Sequence, residues 1–399
     1  MAFLESPNLL SLVKEIHLAA VEDTSSYHSP SSHFRLLNLI DELRLAVETP
    51  AETARRLIYQ PPQNATLRTV IDLGIFDLLA SHGAHGISAS KLSAYTNAEK
   101  DLIVRLMRVV TALGLCISSE PEVYQSNSRT AIFTQPAGRD GIRCIYDLTM
   151  PTLARLPEYF REHQYTIPKE YHSSPMRWVT GQSQFEWLAQ RQHRQILFNS
   201  YMSSRRQGKP SWFDVYPVER LTSAPLTDEK DVFIVDVGGN QGHDLVQFRE
   251  ENPRFPGRLV LQDLPAVVDG IECEGIEAMG YSFLDPQPVK GARIYYFRSI
   301  FHDWPDDICL KILHNTISAM DPASSRIIIV DLVLPDTEAP LLQASLDIQM
   351  LSIGSGVERS KYQWTELLRA AGLEIRGIWS TSPALESVIE AVLACSDKT

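Results

Sequence analysis

The sequence predicts an α/β protein in which a doubly wound, mostly parallel sheet follows a mainly helical N-terminal part. From residue 231 onward, short apolar strand patterns alternate with helical patterns, as they do in a series of βαβ units. The stretch Val232–Gly242 reads as a buried strand, a glycine turn and the start of a helix. Such a turn brings the backbone close to a cofactor at the carboxyl ends of the strands.

Size and composition limit the function classes. The chain has 399 residues, with 44% hydrophobic and 22% charged residues, which predicts a globular protein of two or three domains. Its net charge of −12 disfavours nucleic acid or an anionic membrane as a partner. We find neither a secretory signal nor an apolar run of roughly 20 residues. The five scattered cysteines form no C-x-x-C pair, so we expect no disulfide framework, no metal site and a cytoplasmic location.

The first two parts of the chain are predicted to be helical. Helices over residues 1–60 have apolar faces, which pack either on a partner subunit or on their own chain. Residues 61–140 have the pattern of a winged helix, with helices over Ala65–Ala80, over a short segment capped by Ser88 or Ser90, and over Asp101–Leu113. The third helix offers only Arg105 and Arg108 as basic residues. We therefore expect a dimerisation module instead of a DNA reader.

Residues 141–230 are predicted to be a helical connection that is rich in aromatic residues and methionines. Such residues at helical spacing are usually core, and the alternative is a flat apolar wall for a substrate. The candidates for that wall are Met150, Phe185, Trp187 and Met202.

Residues 231–399 are predicted to form the sheet. The strands are expected at 232–237, 258–262, 292–297, 326–333, 373–380 and 387–395, with helical segments between them. Little separates the last two strands except a Thr-Ser-Pro turn, so we expect them to form an antiparallel hairpin at the edge of the sheet.

The first two strands end in residues that suit a nucleotide-like cofactor. Asp236 precedes the glycines Gly238 and Gly239, in a G-G-x-x-G spacing that differs from the dinucleotide pattern and disfavours a nicotinamide dehydrogenase. Asp263 ends the second strand, where a carboxylate suits the paired hydroxyls of a ribose. The alternative for Asp263 is a helix N-cap before Pro265.

A candidate base follows the third strand. The motif FHDWPDD places His302 beside Asp303, close to the expected cofactor pocket. A histidine can take a proton near neutral pH, and a carboxylate on its other ring nitrogen would fix the tautomer. The alternative is an ordinary helix-cap histidine, because the same motif also reads as a helix start.

Four motifs occur in order: VDVGGNQGHD, GRLVLQDLP, YSFLDPQPVKGARIYYFRSIFHDWPDD and GVERSKYQWTELLRAAGL. In this order and spacing, the chain resembles the class I S-adenosylmethionine-dependent O-methyltransferases of the plant caffeate type, in their fungal secondary-metabolism branch. The resemblance covers nearly the whole chain. It implies a Rossmann-like catalytic domain behind a winged-helix dimerisation domain, S-adenosylmethionine as cofactor, a small-molecule substrate and a homodimer.

The resemblance also implies roles for residues. Asp236, Gly238 and Gly239 would border the methionine part of the cofactor, and Asp263 would bind its ribose. Phe283 would lie against the adenine, next to Ser282, where the family usually has an aspartate. Arg298 stands where the family has a basic or polar residue that touches the cofactor.

The same resemblance makes His302 the general base on a phenolic or enolic hydroxyl. Glu358 would orient it, and Asp331 stands where plant members carry a second orienting glutamate. Asp303 is assigned to the substrate side. Asp331 is one methylene shorter than glutamate, and a serine at position 282 binds more weakly than a carboxylate.

Three functions are compatible with these residues. The first is an O-methyltransferase acting on an aromatic or polyketide-type metabolite, which the intact His302 motif favours. The second is a pericyclase or dehydratase on the same fold, which Ser282 and Asp331 keep open. The third is a non-catalytic regulator that binds cofactor or DNA, which the acidic charge and the complete base motif disfavour.

Overall fold

The structure is a computed structural model that describes residues 9–24, 29–204, 209–222, 231–382 and 385–394. The chain divides into two compact units. The first comprises Met1–Lys14, Leu39–Glu162 and Trp178–Gly208, and the second comprises Glu15–Asn38, His163–Arg177 and Lys209–Thr399. Among the helices that are described, none is both long enough and apolar enough to cross a membrane.

The part before residue 231 is mainly helical. Its α-helices are α1 (Leu9–Asp23), α2 (Pro30–Val47), α3 (Pro50–Ile58), α4 (Gln60–Asp72), α5 (Ile75–His82), α6 (Ala89–Thr96), α7 (Lys100–Ala112), α8 (Pro136–Cys144), α9 (Met150–Leu153), α10 (Leu156–Glu162), α11 (Pro175–Thr180), α12 (Gln184–Ala189), α13 (Gln192–Ser204) and α14 (Trp212–Val215). A small antiparallel sheet has the order β1-β3-β2, formed by β1 (Ile87–Ser88), β2 (Ile117–Glu120) and β3 (Val123–Gln125).

The winged-helix prediction is confirmed except for its first helix. The single helix expected over Ala65–Ala80 is wrong, because the chain turns at Gly74 with a φ of +66° between α4 and α5. That left-handed conformation suits glycine and interrupts a helix. Helix α6 is capped by the Ser88 side chain, which accepts a hydrogen bond from the Lys91 amide. Helix α7 is followed by Gly114 at a φ of +71°, as expected.

A seven-stranded sheet forms the centre of the second unit. Its strands are β4 (Val232–Val237), β5 (Arg258–Asp263), β6 (Ile276–Gly280), β7 (Ile294–Arg298), β8 (Arg326–Asp331), β9 (Leu373–Trp379) and β10 (Ser387–Leu393). The helices of this part are α15 (His243–Glu251), α16 (Pro265–Val268), α17 (Asp306–Ile317), α18 (Leu341–Gly354) and α19 (Lys361–Ala370).

The strand order is β6-β5-β4-β7-β8-β10-β9, and the first five of these strands run parallel. Strand β10 pairs antiparallel with both β8 and β9, so the predicted hairpin is confirmed at the edge. The predicted doubly wound fold class is therefore confirmed. The carboxyl ends of β4, β5, β7 and β8 lie at one edge of the sheet, where the candidate site residues follow them.

Both faces of the sheet are covered. Alternate residues of β7 belong to two separate apolar clusters, with Tyr295 and Phe297 in one and Ile294 and Tyr296 in the other. A strand that is buried on both faces reads as a continuous apolar run, which explains why the sequence predicted it well.

The expectation of helix throughout residues 263–292 is wrong in part, because Ile276–Gly280 is the strand β6. This strand forms the edge of the sheet and is mostly exposed. Its sequence, IEAMG, lacks the continuous apolar run of a buried strand and has one β-branched residue, Ile276.

Candidate functional site

The glycine turn after β4 has no room for side chains. Gly238 has a φ of +78°, and a Cβ there would lie 2.5 Å from Ile300 Cδ1. A Cβ on Gly239 would lie 2.3 Å from Asp236 Oδ2, so the buried Asp236 carboxylate lies directly against the turn. The main chain can therefore come close to a ligand here only with glycine at both positions.

The turn is tied to β5 by its own amides. The Gly238 and Gly239 amides both donate to the carbonyl oxygen of Gln262, at 2.7 and 3.2 Å. The Gln262 side chain is fully buried and exchanges two 2.9 Å hydrogen bonds with the Gln287 amide. The main-chain amides of Gly238 and Gly239 therefore hold the turn against β5. The space for a ligand at this turn is formed by the path of the backbone.

Asp263 ends β5 beside this turn. Its Oδ2 accepts a hydrogen bond from the Asn240 amide at 2.9 Å, and its Oδ1 accepts one from the Leu264 amide at 2.7 Å. Leu264 occupies the N-cap position of α16, and no side chain caps that helix. The N-cap interpretation of Asp263 is therefore wrong, and the carboxylate links the ends of β4 and β5.

Ser282 and Phe283 follow β6. The Ser282 hydroxyl accepts a hydrogen bond from the Leu284 amide at 3.3 Å. The Phe283 ring packs edge-on against Trp304 with 5.9 Å between the ring centroids. Its Cε1 would lie 3.9 Å from a Cβ on Gly238. The Phe283 ring thus lies beside the glycine turn, where the resemblance expects the cofactor.

Arg298 is held between two carboxylates. Its guanidinium donates to Asp244 at 2.8 Å and to Glu386 at 2.7 Å, with only 8% of its side chain exposed. Burial lowers the pKa of Arg298, but the surrounding negative groups outweigh burial and raise it, so the guanidinium stays charged. Arg298 therefore links the start of α15 to the segment before β10, which the sequence did not predict.

His302 lies in the short turn Phe301–Asp303 after β7 and has 13% of its side chain exposed. Its Nδ1 is 3.0 Å from Glu358 Oε1 and 3.5 Å from Asp331 Oδ1. Because a carboxylate only accepts, the hydrogen on Nδ1 is donated to Glu358. The other ring nitrogen, Nε2, lies 3.7 Å from Asp303 Oδ1. The three predicted catalytic side chains are thus brought together, and Glu358 is the hydrogen-bonded partner.

The charges around the ring shift its pKa. Burial lowers the pKa of His302, but Asp331, Asp303 and Glu358 outweigh burial and raise it to about 10. Burial raises the pKa of Asp331 to about 7, against the lowering effect of the His302 charge. Asp331 Oδ2 and Glu358 Oε2 are buried and have no hydrogen-bond partner among the described residues. The cluster therefore favours a positive charge on the imidazole.

His302, Asp331 and Glu358 also offer three ligand atoms that lie within 4.8 Å of one another, a composition that a divalent cation can use. The hydrogen bond between Nδ1 and Glu358 accounts for the same arrangement without a cation. The absence of a metal site stays a prediction.

Sequence reasoning missed two residues next to this cluster. Asp347 Oδ1 accepts the Glu358 amide at 2.9 Å, and the buried Arg359 donates to the main chain on both sides of His302. The motif GVERS contains Arg359, but no local pattern indicates which carbonyl groups its side chain reaches.

The four residues predicted as a substrate wall lie in the first unit. Met150, Trp187 and Met202 are half-buried, and Phe185 is 48% exposed. Trp187 lines a small cavity with Arg143, Asp147 and Arg194, and the Arg191 guanidinium stacks on its ring at 4.4 Å. Their contact with a substrate stays a prediction.

Comparison with known proteins gives the family. The O-methyltransferase domain matches residues 169–374, and the O-methyltransferase dimerisation domain matches residues 63–136. The sheet, its glycine turn and these two domains define a class I methyltransferase. The chain belongs to the S-adenosylmethionine-dependent O-methyltransferases, in their fungal branch.

Individual relatives agree with this over nearly the whole chain. Methyltransferase cfoC of Aspergillus candidus is 32% identical over 384 residues, which cover 95% of this chain and 96% of that protein. The structure of OxaC in complex with S-adenosylhomocysteine and oxaline matches with a TM-score of 0.82 and 28% identity, over 96% of this chain and 98% of OxaC. A pericyclic reaction enzyme matches with a TM-score of 0.85 and 28% identity, over 96% of this chain and 99% of its own. The cofactor of the chain is S-adenosylmethionine.

Proposed function

We propose that the protein transfers a methyl group from S-adenosylmethionine to a phenolic or enolic hydroxyl of an aromatic or polyketide-type metabolite, with His302 as the general base. The observation that carries this proposal is the pairing of His302 Nδ1 with Glu358 at 3.0 Å, which leaves Nε2 to meet a substrate. Asp331, at 3.5 Å, adds a second negative charge to the same side of the ring.

The residues after β4, β5 and β6 fit the cofactor. The glycine turn at Gly238 and Gly239 is a cradle that a Cβ would fill, Asp263 suits the ribose hydroxyls, and Phe283 offers a flat face to the adenine. Ser282 offers a hydroxyl near the adenine, and Arg298, which donates to Asp244, is the basic residue that would touch the cofactor. When bound, the cofactor supplies a methyl group on a positively charged sulfur.

In this proposal, His302 takes the proton of the substrate hydroxyl as that hydroxyl attacks the methyl group. A phenol has a pKa of about 10, and the carboxylates around the ring raise the pKa of His302 above its usual value, which favours proton transfer from the phenol to Nε2. Glu358 accepts the hydrogen bond from Nδ1 and so keeps that nitrogen protonated. It also stabilises the imidazolium that forms when Nε2 takes the substrate proton. Asp303 lies on the Nε2 side, where it can accept a hydrogen bond from a second polar group of the substrate.

The test of this role is His302→Gln, which keeps a polar side chain but removes the base. We expect the rate of methyl transfer to fall by about 10²–10⁴-fold. Binding of S-adenosylmethionine, measured by calorimetric titration, should stay within about twofold, because the glycine turn and Asp263 are untouched. The matched control is His314→Gln, at an exposed position on α17, which should keep full activity. Retained turnover in His302→Gln would remove His302 from the mechanism.

A pericyclase or dehydratase is the second candidate function. The similarity to the pericyclic reaction enzyme supports it, together with Ser282 at a position where the family usually has an aspartate. Mass spectrometry of small molecules that co-purify with the protein, and of products formed with and without S-adenosylmethionine, separates the two. A product heavier by one methylene group supports methyl transfer. An isomer or a dehydrated product of unchanged methylation supports the alternative.

We further propose that Met150, Phe185, Trp187 and Met202 contact the substrate, and that the protein works as a cytoplasmic homodimer. The dimerisation domain over residues 63–136 supports the homodimer. Trp187 is half-buried and lines a small cavity with Arg143 and Arg194, so the proposed substrate wall would have charged residues at its edge.

A further inference from the structure

The segment that carries Glu358 packs against the main chain at His302 and is hydrogen-bonded to it. The Val357 amide donates to the His302 carbonyl oxygen at 2.8 Å. Gly356 precedes it, and a Cβ at that position would lie 2.2 Å from the same oxygen. The segment 356–359 therefore lies directly against the turn that presents the base.

Arg359 completes this contact with its side chain. Its guanidinium donates to the Phe301 carbonyl at 2.8 Å and to the Trp304 carbonyl at 2.9 Å, one on each side of His302. Two further hydrogen bonds, at 3.0 and 2.7 Å, go to Asp306 Oδ1 at the start of α17. The guanidinium thus spans the beginning and the end of the turn Phe301–Asp303.

Arg359 is only 1% exposed, although its carboxylate partner Asp306 has 69% of its side chain exposed. Burying a guanidinium is costly unless most of its donors are satisfied. Here two of the hydrogen bonds go to main-chain carbonyls on either side of His302, two go to Asp306 and one goes to the Cys309 sulfur. A buried cation at this place is difficult to explain by the stability of a surface ion pair alone, because Asp306 lies in solvent.

We propose that Arg359 is a positioning residue that fixes the main chain on both sides of His302, so that the imidazole stays hydrogen-bonded to the neighbouring Glu358. Glu358 then holds the ring while Arg359 holds the backbone that carries the ring. This proposal rests on the proposed role of His302 as the base. A displacement of about 1 Å at a reacting group can cost about 10²-fold in rate, so such a hold matters to catalysis.

The sharpest test is Arg359→Lys. The lysine keeps the positive charge, but it lacks the planar fork that reaches both carbonyls at once. We expect kcat to fall by about 10- to 100-fold, with the KM for S-adenosylmethionine within about twofold. The pKa of His302, followed by NMR of histidine-labelled protein without substrate, should fall, because a looser hydrogen bond to Glu358 stabilises the imidazolium less.

The chain offers a matched control in the same unit. Arg249 also bridges two carbonyls, those of Phe255 at 3.1 Å and Gly257 at 2.7 Å, but these precede β5 at the opposite edge of the sheet. Arg249→Lys should lose similar hydrogen bonds and leave both kcat and the pKa of His302 as in the wild type. Equal losses in both variants would mean a general effect on folding and would overturn the proposal.

Wild-type kcat and an unchanged His302 pKa in Arg359→Lys would also overturn it. If Arg359→Lys does not fold, Asp306→Asn is the second variant. It weakens the hold on the Arg359 guanidinium and leaves the buried carbonyl groups unchanged. We expect the same two changes there, in smaller size, and their absence would contradict the proposal. The NMR measurement needs no substrate. It therefore tests the positioning role of Arg359 even if the protein does not transfer methyl groups, so the two proposals can fail separately.

Discussion

Three carboxylates surround the His302 ring, and their charge decides the pH range in which the ring accepts a proton. Asp331 and Glu358 lie on the Nδ1 side and Asp303 on the Nε2 side. They raise the pKa of His302 to about 10 against the effect of burial. Below that value Nε2 carries a proton, so the free enzyme near neutral pH holds mostly the acid form. Only the deprotonated ring can act as the base.

The rate of methyl transfer should therefore rise with pH through the neutral and alkaline range. In Asp331→Asn one negative charge is lost, the pKa of His302 falls, and the rising limb should move to lower pH. The measurement is kcat against pH for both proteins.

Asp321→Asn is the control for this experiment, because the exposed Asp321 precedes β8 at the end opposite to Asp331. It removes the same charge and should leave the profile in place. A profile that does not move in Asp331→Asn would show that Asp331 has no electrostatic effect on the base.

At the residue scale, the sequence predicted the members of the site better than their contacts. His302 and Glu358 stand in recognisable motifs, and the structure pairs them. Arg298 also stands in a motif, yet its partners Asp244 and Glu386 come from distant parts of the chain. Arg359 was missed for a related reason, because two of its partners are carbonyl groups, which no sequence pattern identifies.

At the scale of elements, the turn between β4 and α15 depends on the absence of side chains. Gly238 and Gly275 have nearly the same φ, at +78° and +74°. A Cβ on Gly238 would meet Ile300 Cδ1 at 2.5 Å, whereas a Cβ on Gly275 meets nothing within 4 Å. The two positions therefore separate the cost of the backbone conformation from the cost of the close approach.

We expect Gly275→Ala to lower the free energy of unfolding by about 1–2 kcal/mol, the cost of a left-handed residue with a side chain. Gly238→Ala should lower it further and weaken S-adenosylmethionine binding, and adding Ile300→Val should restore part of both. Chemical denaturation and calorimetric titration measure these effects. Equal stability loss and unchanged affinity in the two alanine variants would show that the turn tolerates a side chain.

The elements that the sequence predicted least well are those with weak local signals. Strand β7 is apolar on both faces and was found within two residues. Strand β6 is mostly exposed and owes its existence to pairing with β5. Such a strand is set by its neighbour in the sheet, so its own residues carry little information.

At the scale of the whole molecule, the first helices expose many large apolar side chains. Leu10 in α1, Leu45 in α2 and Ile58 in α3 are 71%, 59% and 67% exposed. Large apolar side chains exposed on three consecutive helices are candidates for an interaction surface. Ile58 ends α3 shortly before residue 63, where the matched dimerisation domain begins. These exposures favour packing on a partner subunit over packing on their own chain.

We expect the protein in solution to have twice the 44.9 kDa mass of one chain. Ile58→Asp should weaken dimerisation by about 10- to 100-fold, since burying an isoleucine contributes about 1.5–3 kcal/mol. Analytical ultracentrifugation over a range of concentrations measures this. Tyr362→Asp, at a 63% exposed position on α19, is the control and should remain dimeric. A monomeric wild type, or equal effects of the two variants, would contradict the prediction.

The glycine turn is held in its shape by the protein alone. Gly238 and Gly239 donate to Gln262, Asn240 donates to Asp263, and the Gln262 side chain is locked to Gln287. A loop that is ordered in advance loses little conformational entropy when a ligand arrives. These hydrogen bonds therefore lower the entropy cost of ordering that part of the chain when the cofactor binds.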